Sequence, residues 1–426
     1  MQRIRKWIGL VAVIVPLGAC GLLDVQAPGH IADASLNDPD AFPSLVNGMS
    51  YDLAQANDNT AEFQTLASGE VFHGGSYDWA KVPRGIILPE DVDGSWEAVE
   101  EAQWVTDHGI DRMKKVMVPE DFKKSQLAAQ AYLYGGFADR LFGELACQVT
   151  IDSGPPQPNT VEFDRAIGKF TNAITIGQAA GADNIVTAAY AGRASVRAWK
   201  GDWAGAADDA AKVPVDFEYD AILNAAANNE NTLAYETHAR FEYTIWNTLY
   251  ANHYGDPRVP WDTVYNSKGA IATGANGSSY MFRQEKYDNV DDDFPLATGT
   301  EMLVLRAEGA LRSGDAAGAK VLLDQARLYY DAHPVNPNAP YKMTPLDTLS
   351  TASMATPDSA WATLRYEREA TLFLQNRHLW DERRWYAEKG PAHDDWLHTA
   401  APEGQNVRDS CMPISKEEAN SNPNVP

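Results

Sequence analysis

Gly201-Asp202-Trp203-Ala204-Gly205-Ala206 and Gly314-Asp315-Ala316-Ala317-Gly318-Ala319 share five of six positions, and each lies between two stretches of helical apolar periodicity. In the first copy Ala188 to Trp199 precedes the turn and Ala204 to Val213 follows it; in the second, Glu301 to Leu311 precedes and Ala316 to Tyr329 follows. A Gly-Asp pair ends one helix and caps the next, so each copy predicts a helix hairpin. Small Ala and Gly residues after the turn are expected to let the paired helices approach closely, as in tetratricopeptide-like arrays. The copies stand 113 residues apart, so the hairpins do not form a regular solenoid.

Outward from the hairpins, Leu127, Ala128, Ala131, Tyr134, Ala138 and Leu141 recur at steps of three and four, predicting a helix over Lys124 to Phe142 that stops at Gly143. A second helix is expected from Phe163 to Ala180, and Leu364 to Glu388 reads as a charged C-terminal helix. Period-two alternation is scarce. The stretches Asp52 to Asp121 and Phe217 to Val290 are rich in Gly, Asn, Pro and aromatics and read as long loop insertions. The fold class expected is therefore all-α: tetratricopeptide-like helix hairpins near 124–213 and 301–329, with long irregular loop insertions and an irregular segment from Pro391 to Pro426.

The N-terminus carries Arg3, Arg5 and Lys6, then an apolar run from Trp7 to Val15. That run is too short for a stable membrane span and reads as an export signal. Leu17-Gly18-Ala19-Cys20 resembles a lipobox, which predicts a leader over 1–19, lipidation of Cys20 and a tether over 20–45 ahead of a helical domain over 46–426. Acyl chains contribute about 0.8 kcal/mol per buried methylene, enough for several to hold the chain on a membrane without another apolar segment.

The formal net charge is −24, which argues against nucleic acid and anionic lipid head groups as partners. With Cys20 lipidated, Cys147 and Cys411 remain, either as a disulfide or as two buried thiols. No zinc-protease helix, phosphate loop or nucleophile elbow is present, so no enzyme, cofactor or metal is expected, although a carboxylate-pair glycosidase leaves no signature of its own. Asp91-Val92-Asp93-Gly94 and Asp291-Asp292-Asp293 carry the oxygens that calcium prefers but lack the full spacing of a calcium loop.

Four stretches resemble the SusD/RagB family of nutrient-binding lipoproteins. They are Leu23-Asp24-Val25 with Leu45-Val46-Asn47-Gly48-Met49; Leu127 to Gly143; the hairpin Glu301 to Arg327 with Ala307-Glu308-Gly309-Ala310; and Tyr366-Glu367-Arg368, Leu372 and Trp380-Asp381-Glu382-Arg383-Arg384-Trp385. Thr371, Gln375 and Asn376 depart from the family's usual Glu, Glu and Gly, and Asn can still hold a left-handed turn. Glu367, Arg368, Asp381, Arg383, Arg384 and Trp385 read as a structural clamp. The resemblance implies a lipid anchor in the outer membrane and a TonB-dependent transport barrel as partner. Its implied role is capture and delivery of an oligosaccharide or peptide, without bond cleavage.

Tyr77, Trp79 and Trp96 in the first insertion and Trp261, Tyr265, Tyr280 and Phe282 in the second are the candidate ligand-binding rings, since flat rings among polar groups suit sugar faces. The alternative is a helical-repeat scaffold that binds another envelope protein.

Overall fold

The computed structural model describes residues 33–75, 77–396 and 411–426. The leader, Cys20 and Leu23-Asp24-Val25 lie outside them. Thirteen α-helices are present among the described residues: α1 Phe42–Ala67, α2 Asp93–Val116, α3 Pro119–Phe122, α4 Gln126–Leu145, α5 Thr160–Ala180, α6 Asp183–Trp199, α7 Trp203–Ala210, α8 Thr232–Ala234, α9 Gly299–Arg312, α10 Ala316–Ala332, α11 Pro357–Thr371, α12 His378–Ala387 and α13 Lys416–Ser421. Neighbours pack in series, α4 on α5, α5 on α6, α6 on α7, α7 on α9 and α9 on α10, with α1 and α2 against α4. None of the described helices is long and apolar enough to cross a membrane.

Both hairpin turns have one geometry. Gly201 and Gly314 take φ of 82° and 84°, and the Asp202 and Asp315 carboxylates accept the Gly205 and Gly318 N–H at 2.9 and 2.8 Å. A Cβ at Gly205 or Gly318 would lie 2.2 Å from the capping carboxylate. These glycines therefore make room for the cap, and it is Ala206 and Ala319 that turn inward toward the helix contact.

The first insertion expected over 52–121 is largely helical. Helix α1 escaped the periodicity because its inner face carries polar residues: Asn57, Asp58, Thr60, Gln64 and Thr65 are all buried. Thr60 and Thr65 donate back to the Ala56 and Ala61 carbonyls, and Asp58 accepts the Thr232 N–H and hydroxyl at 2.9 and 2.5 Å. In α2 the buried set Trp96, Val99, Thr106, Ile110 and Met113 is thinned by Ser95 and Gln103 on the same side. The tether boundary at 45 moves too, since α1 starts at Phe42 and 3-10 turns over Asp33–Asn37 and Pro39–Ala41 precede it. The second insertion is irregular as expected, built from short turns and strands.

Gly143 does not stop α4. It lies inside the helix, where a Cβ would come within 2.6 Å of the Phe163 ring, and a Cβ on Gly136 or Gly192 would come within 2.7 and 2.4 Å of Phe170. Glycine thus sets the close approach of α4 and α6 to α5. Helix α4 ends where Arg383 donates to the carbonyls of Glu144 and Ala146 at 2.7 and 3.1 Å. Cys147 and Cys411 form a disulfide, beside a parallel bridge between Ala146 and Met412.

The expected single helix over 364–388 is two helices, α11 and α12, separated by a turn in which Leu374 and Asn376 have φ of 54° and 62°. The Asn376 amide donates to Thr60 Oγ1 at 3.0 Å, and Glu70, in the turn that follows α1, accepts the Leu374 N–H at 2.8 Å. Around this turn a chain of buried ion pairs joins the two hydrophobic clusters of the core. Arg258 and Arg327 both donate to Glu367 at 2.6 Å. Arg368 and Arg384 hold Asp381 at 2.5 and 2.6 Å, and Arg384 and Arg312 meet on Glu308 at 2.8 Å. The Arg384 guanidinium also lies 4.1 Å from the Trp199 ring centroid.

Small antiparallel pairs support the loops: β1 Phe72–His73 with β5 Tyr243–Thr244, β2 Gln148–Val149 with β3 Gln157–Pro158, β4 Glu218–Ala221 with β8 Phe294–Thr298, and β6 Trp261–Thr263 with β7 Phe282–Gln284.

Glu308 is fully buried. Burial pushes its carboxyl up, but Arg384, Arg312 and Arg368 outweigh burial and hold it down at about 2. Glu308→Gln leaves two guanidinium groups under-compensated in the interior and is expected to lower unfolding free energy by about 3 kcal/mol in urea titration, with Glu388→Gln at the exposed end of the chain nearly neutral. An unchanged midpoint for Glu308→Gln would remove the clamp from the account of stability.

Candidate functional site

The second insertion lies against α1 and the segment after it through strands β1 and β5. Beneath it lies a polar layer. Tyr243 donates from its hydroxyl to Glu62 of α1, and the Tyr77 hydroxyl donates to Glu236 at 2.9 Å. His73 accepts the Gly75 N–H at 2.9 Å, and Arg240 lies over the Tyr77 ring at 5.0 Å. Burial pushes the Glu62 carboxyl up to about 7, against the pull of the Tyr243 hydroxyl and with reinforcement from Glu236 and Asp58. Burial, then Arg84 and Arg240, holds His73 down at about 4, so its ring is neutral at ordinary pH.

Above that layer runs a string of rings. Trp246 stands edge-on to Phe72 at 5.8 Å and to Tyr280 at 5.9 Å. Tyr280 and Phe282 are alternate residues of extended chain and so face the same way. Phe282 stacks on Trp261 at 4.8 Å and 19°. Trp261 meets Tyr254 at 4.9 Å, and Tyr254 meets Tyr341 at 5.1 Å. The Thr244 hydroxyl sets the spacing: it donates to the Tyr280 carbonyl at 2.8 Å and accepts the N–H of Trp246 and of Phe282, both at 3.0 Å. Tyr280 and Tyr254 are 46% and 51% exposed, so the string presents rings to solvent on a base held by Trp261, whose indole N–H donates to the Tyr250 carbonyl at 3.1 Å. Asp262 and Arg283 stand opposite each other on β6 and β7 and supply polar groups beside the rings. Aromatic faces flanked by hydrogen-bonding groups are what a pyranose ring needs.

Of the rings singled out in the sequence, Tyr280, Phe282 and Trp261 belong to this string, the last two as its base. Tyr77 is half-buried in the polar layer, and Trp79 is half-buried against the core. Tyr265 is 63% exposed on the loop between β6 and β7. Trp96 is not among them: it lies in α2 with its edge on Phe142 at 4.7 Å and is 1% exposed, because the segment expected as a loop is a helix. Trp246, Tyr254 and Tyr341 were missed, although each is an aromatic in Asn-, Gly- or Pro-rich chain like the rings that were chosen.

A cavity of about 1160 Å³ lies elsewhere, between α2, α5 and α13. It is acidic, with Glu97, Glu100, Glu101, Asp152, Glu417 and Glu418 in its lining, and Trp96 closes its floor. Its exposed ring is Trp104, stacked on His108 at 4.1 Å. The two acidic runs considered for calcium are occupied by backbone. Asp91 accepts the Leu88 N–H at 2.7 Å and pairs with Lys81, and Asp93 accepts that of Glu417 at 3.0 Å. Asp291, Asp292 and Asp293 accept those of Ala225, Asn289 and Leu223 at 2.8, 2.9 and 2.8 Å.

No protein-family model matches the sequence, and no curated protein matches it significantly. Solved structures do. A SusD superfamily protein from Bacteroides thetaiotaomicron superposes with a TM-score of 0.63 at 13% identity, over 92% of this chain and 98% of its own. A susd/ragb family protein from the same organism gives 0.61 at 12%, over 81% and 88%. A SusD-like carbohydrate binding protein from Bacteroides vulgatus gives 0.52 at 14%, over 81% and 83%. Many of the structural neighbours are SusD/RagB proteins, and the chain has their fold.

Raised carboxyls set a pH dependence. Below the unfolded value near 4.5 Glu62 is protonated in both states and its burial carries no charge penalty; as pH rises through about 7 the folded state must ionise it against burial, and stability is lost. Glu62→Gln removes that loss while keeping an acceptor for Tyr243. The stability of Glu62→Gln relative to the parent is expected to increase between about pH 5 and pH 8 in urea titrations, and a pH-independent difference would contradict the assignment.

Proposed function

We propose that the chain is a SusD/RagB-type nutrient-binding lipoprotein that captures a glycan on the ring string Trp246–Tyr280–Phe282–Trp261–Tyr254 and hands it to a TonB-dependent transport barrel, without cleaving it. The observation that carries this reading is the pair of solvent-facing rings, Tyr280 and Tyr254, held at fixed spacing by Thr244 and Trp261 on a scaffold whose neighbours include a SusD-like carbohydrate binding protein. Stacking requires rigid, exposed aromatic faces. A base of buried rings keeps the exposed ones from collapsing onto the surface, which limits the entropy lost on binding. The exposed rings among hydrogen-bonding groups support an oligosaccharide over a peptide as the ligand.

The lipobox-like Leu17-Gly18-Ala19-Cys20 supports acylation of Cys20, and the resemblance to SusD/RagB proteins supports the outer membrane as the place where those acyl chains hold the helical body in the aqueous space beside it. The scaffold alternative rests on no specific observation among the described residues.

Two measurements test the reading. Trp246→Ala and Tyr280→Ala are each expected to weaken oligosaccharide binding by about 1 kcal/mol, roughly fivefold, and the double variant by more than either, in calorimetric titration against a glycan panel. The double variant should still co-purify a barrel transporter from detergent-solubilised outer membranes. Glycan affinities unchanged in the double variant would move the site away from the rings. Absence of a barrel from the parent preparation would count against delivery and favour the scaffold.

A further inference from the structure

We propose that Glu369, His378 and Glu382 form a binding site for one zinc-class divalent cation that ties α11 to α12 across their connecting turn. The three side chains each offer one ligand atom, and these atoms lie within 4.8 Å of one another. His378 and Glu382 are four residues apart on α12 and therefore share a face, with His378 Nε2 and a Glu382 oxygen 3.6 Å apart. Bonds of about 2.0–2.2 Å around a tetrahedral ion place neighbouring ligands roughly 3.3–3.6 Å apart, so this pair already has the required separation and Glu369 needs only a small side-chain adjustment.

The surroundings point the same way. His378 and Glu382 are 3% and 2% exposed, and the second Glu382 oxygen, Oε2, is buried with no hydrogen-bond partner. A carboxyl oxygen buried without a hydrogen-bond partner carries a desolvation penalty, which a coordinated cation removes. The Tyr250 hydroxyl is also buried without a partner, and its ring stands 6.0 Å from that of His378. Arg365 is a cation in the neighbourhood of Glu369 and Glu382. Arg365 is itself paired with Asp394 at 2.9 Å.

The donor set selects the ion. One imidazole nitrogen with two carboxylates suits zinc and its neighbours, whereas calcium takes six to eight oxygens and magnesium keeps several waters. Three protein ligands leave a fourth position for water. With α11 and α12 each contributing ligands, the ion acts as a clip on the turn that carries Leu374 and Asn376 in left-handed conformation. No metal motif announces this in the sequence, because the ligands are split by that turn. The site is independent of the ring string and of what it binds.

The test uses the purified, untagged protein, stripped with chelator and dialysed against zinc or cobalt(II). About one equivalent of metal is expected to remain bound, with a melting temperature several degrees higher that chelator reverses, and with the intense visible absorption of four- or five-coordinate cobalt. Glu382→Gln and His378→Gln should each weaken cobalt binding by at least about tenfold, and Asp93→Asn, in a distant acidic turn, should leave it unchanged. Failure of the parent protein to retain metal or to shift its melting temperature overturns the proposal, whether or not the variants fold. Equal cobalt affinity in parent and Glu382→Gln overturns it as well.

Discussion

Glu308 is a carboxylate buried in the middle of the C-terminal hairpin, and the arrangement of the helices around it follows from its need for positive charge. Arg312, one turn along its own helix, supplies some; Arg384 supplies the rest from α12. Because Arg384 must also satisfy Asp381, and Asp381 draws in Arg368, the constraint spreads through α11 and α12. The position of α12 in turn brings Arg383 to the open end of α4. Glu308, Asp381 and Arg368 are buried, so none of them can relax alone without leaving its partner uncompensated. The apolar clusters on either side supply the driving force for burial, and the ion chain sets the angle at which they meet.

The hairpins were legible because a Gly-Asp turn has a local cause: the chain reverses where φ must be positive, and the next helix starts where a carboxylate can cap it. The Trp380 to Trp385 string was legible as a run of residue types, although Arg384 pairs with Glu308 and Arg383 with the Glu144 carbonyl, both far away in sequence. Helix α1 was not. Its inner face holds Asn57, Asp58, Gln64 and Thr65, whose partners are as distant as Thr232, and no count of apolar spacing finds a helix whose buried face is partly polar. The break at Leu372 to Arg377 was half-visible: Asn376 pointed to a turn, but nothing local marked where α11 would end.

The ring string divides along the same line. Aromatics in irregular chain can be picked out, and Tyr280, Phe282 and Trp261 were. Which of them would meet, and which would face solvent, depends on Thr244, 36 residues from Tyr280 in sequence, and on the β6–β7 register. Trp96 illustrates the opposite error, since a tryptophan counted with a loop belongs to a helix and packs inward. The insertion is irregular in backbone but fixed in position, because its polar underside is tied to α1 by Tyr243, Thr232 and Gln55.

The disulfide between Cys147 and Cys411 encloses 263 residues, and with them both hairpins, the insertion that carries the rings and the charge chain. Topologically the disulfide closes a covalent ring, with α1 to α4 entering it at Cys147 and α13 leaving it at Cys411. A protease that nicks an exposed loop anywhere within the ring therefore makes a two-piece molecule whose pieces stay joined through sulfur. A single cut in a protease-rich environment therefore need not release either fragment. Only a reductant, or a second cut within the ring, frees a piece.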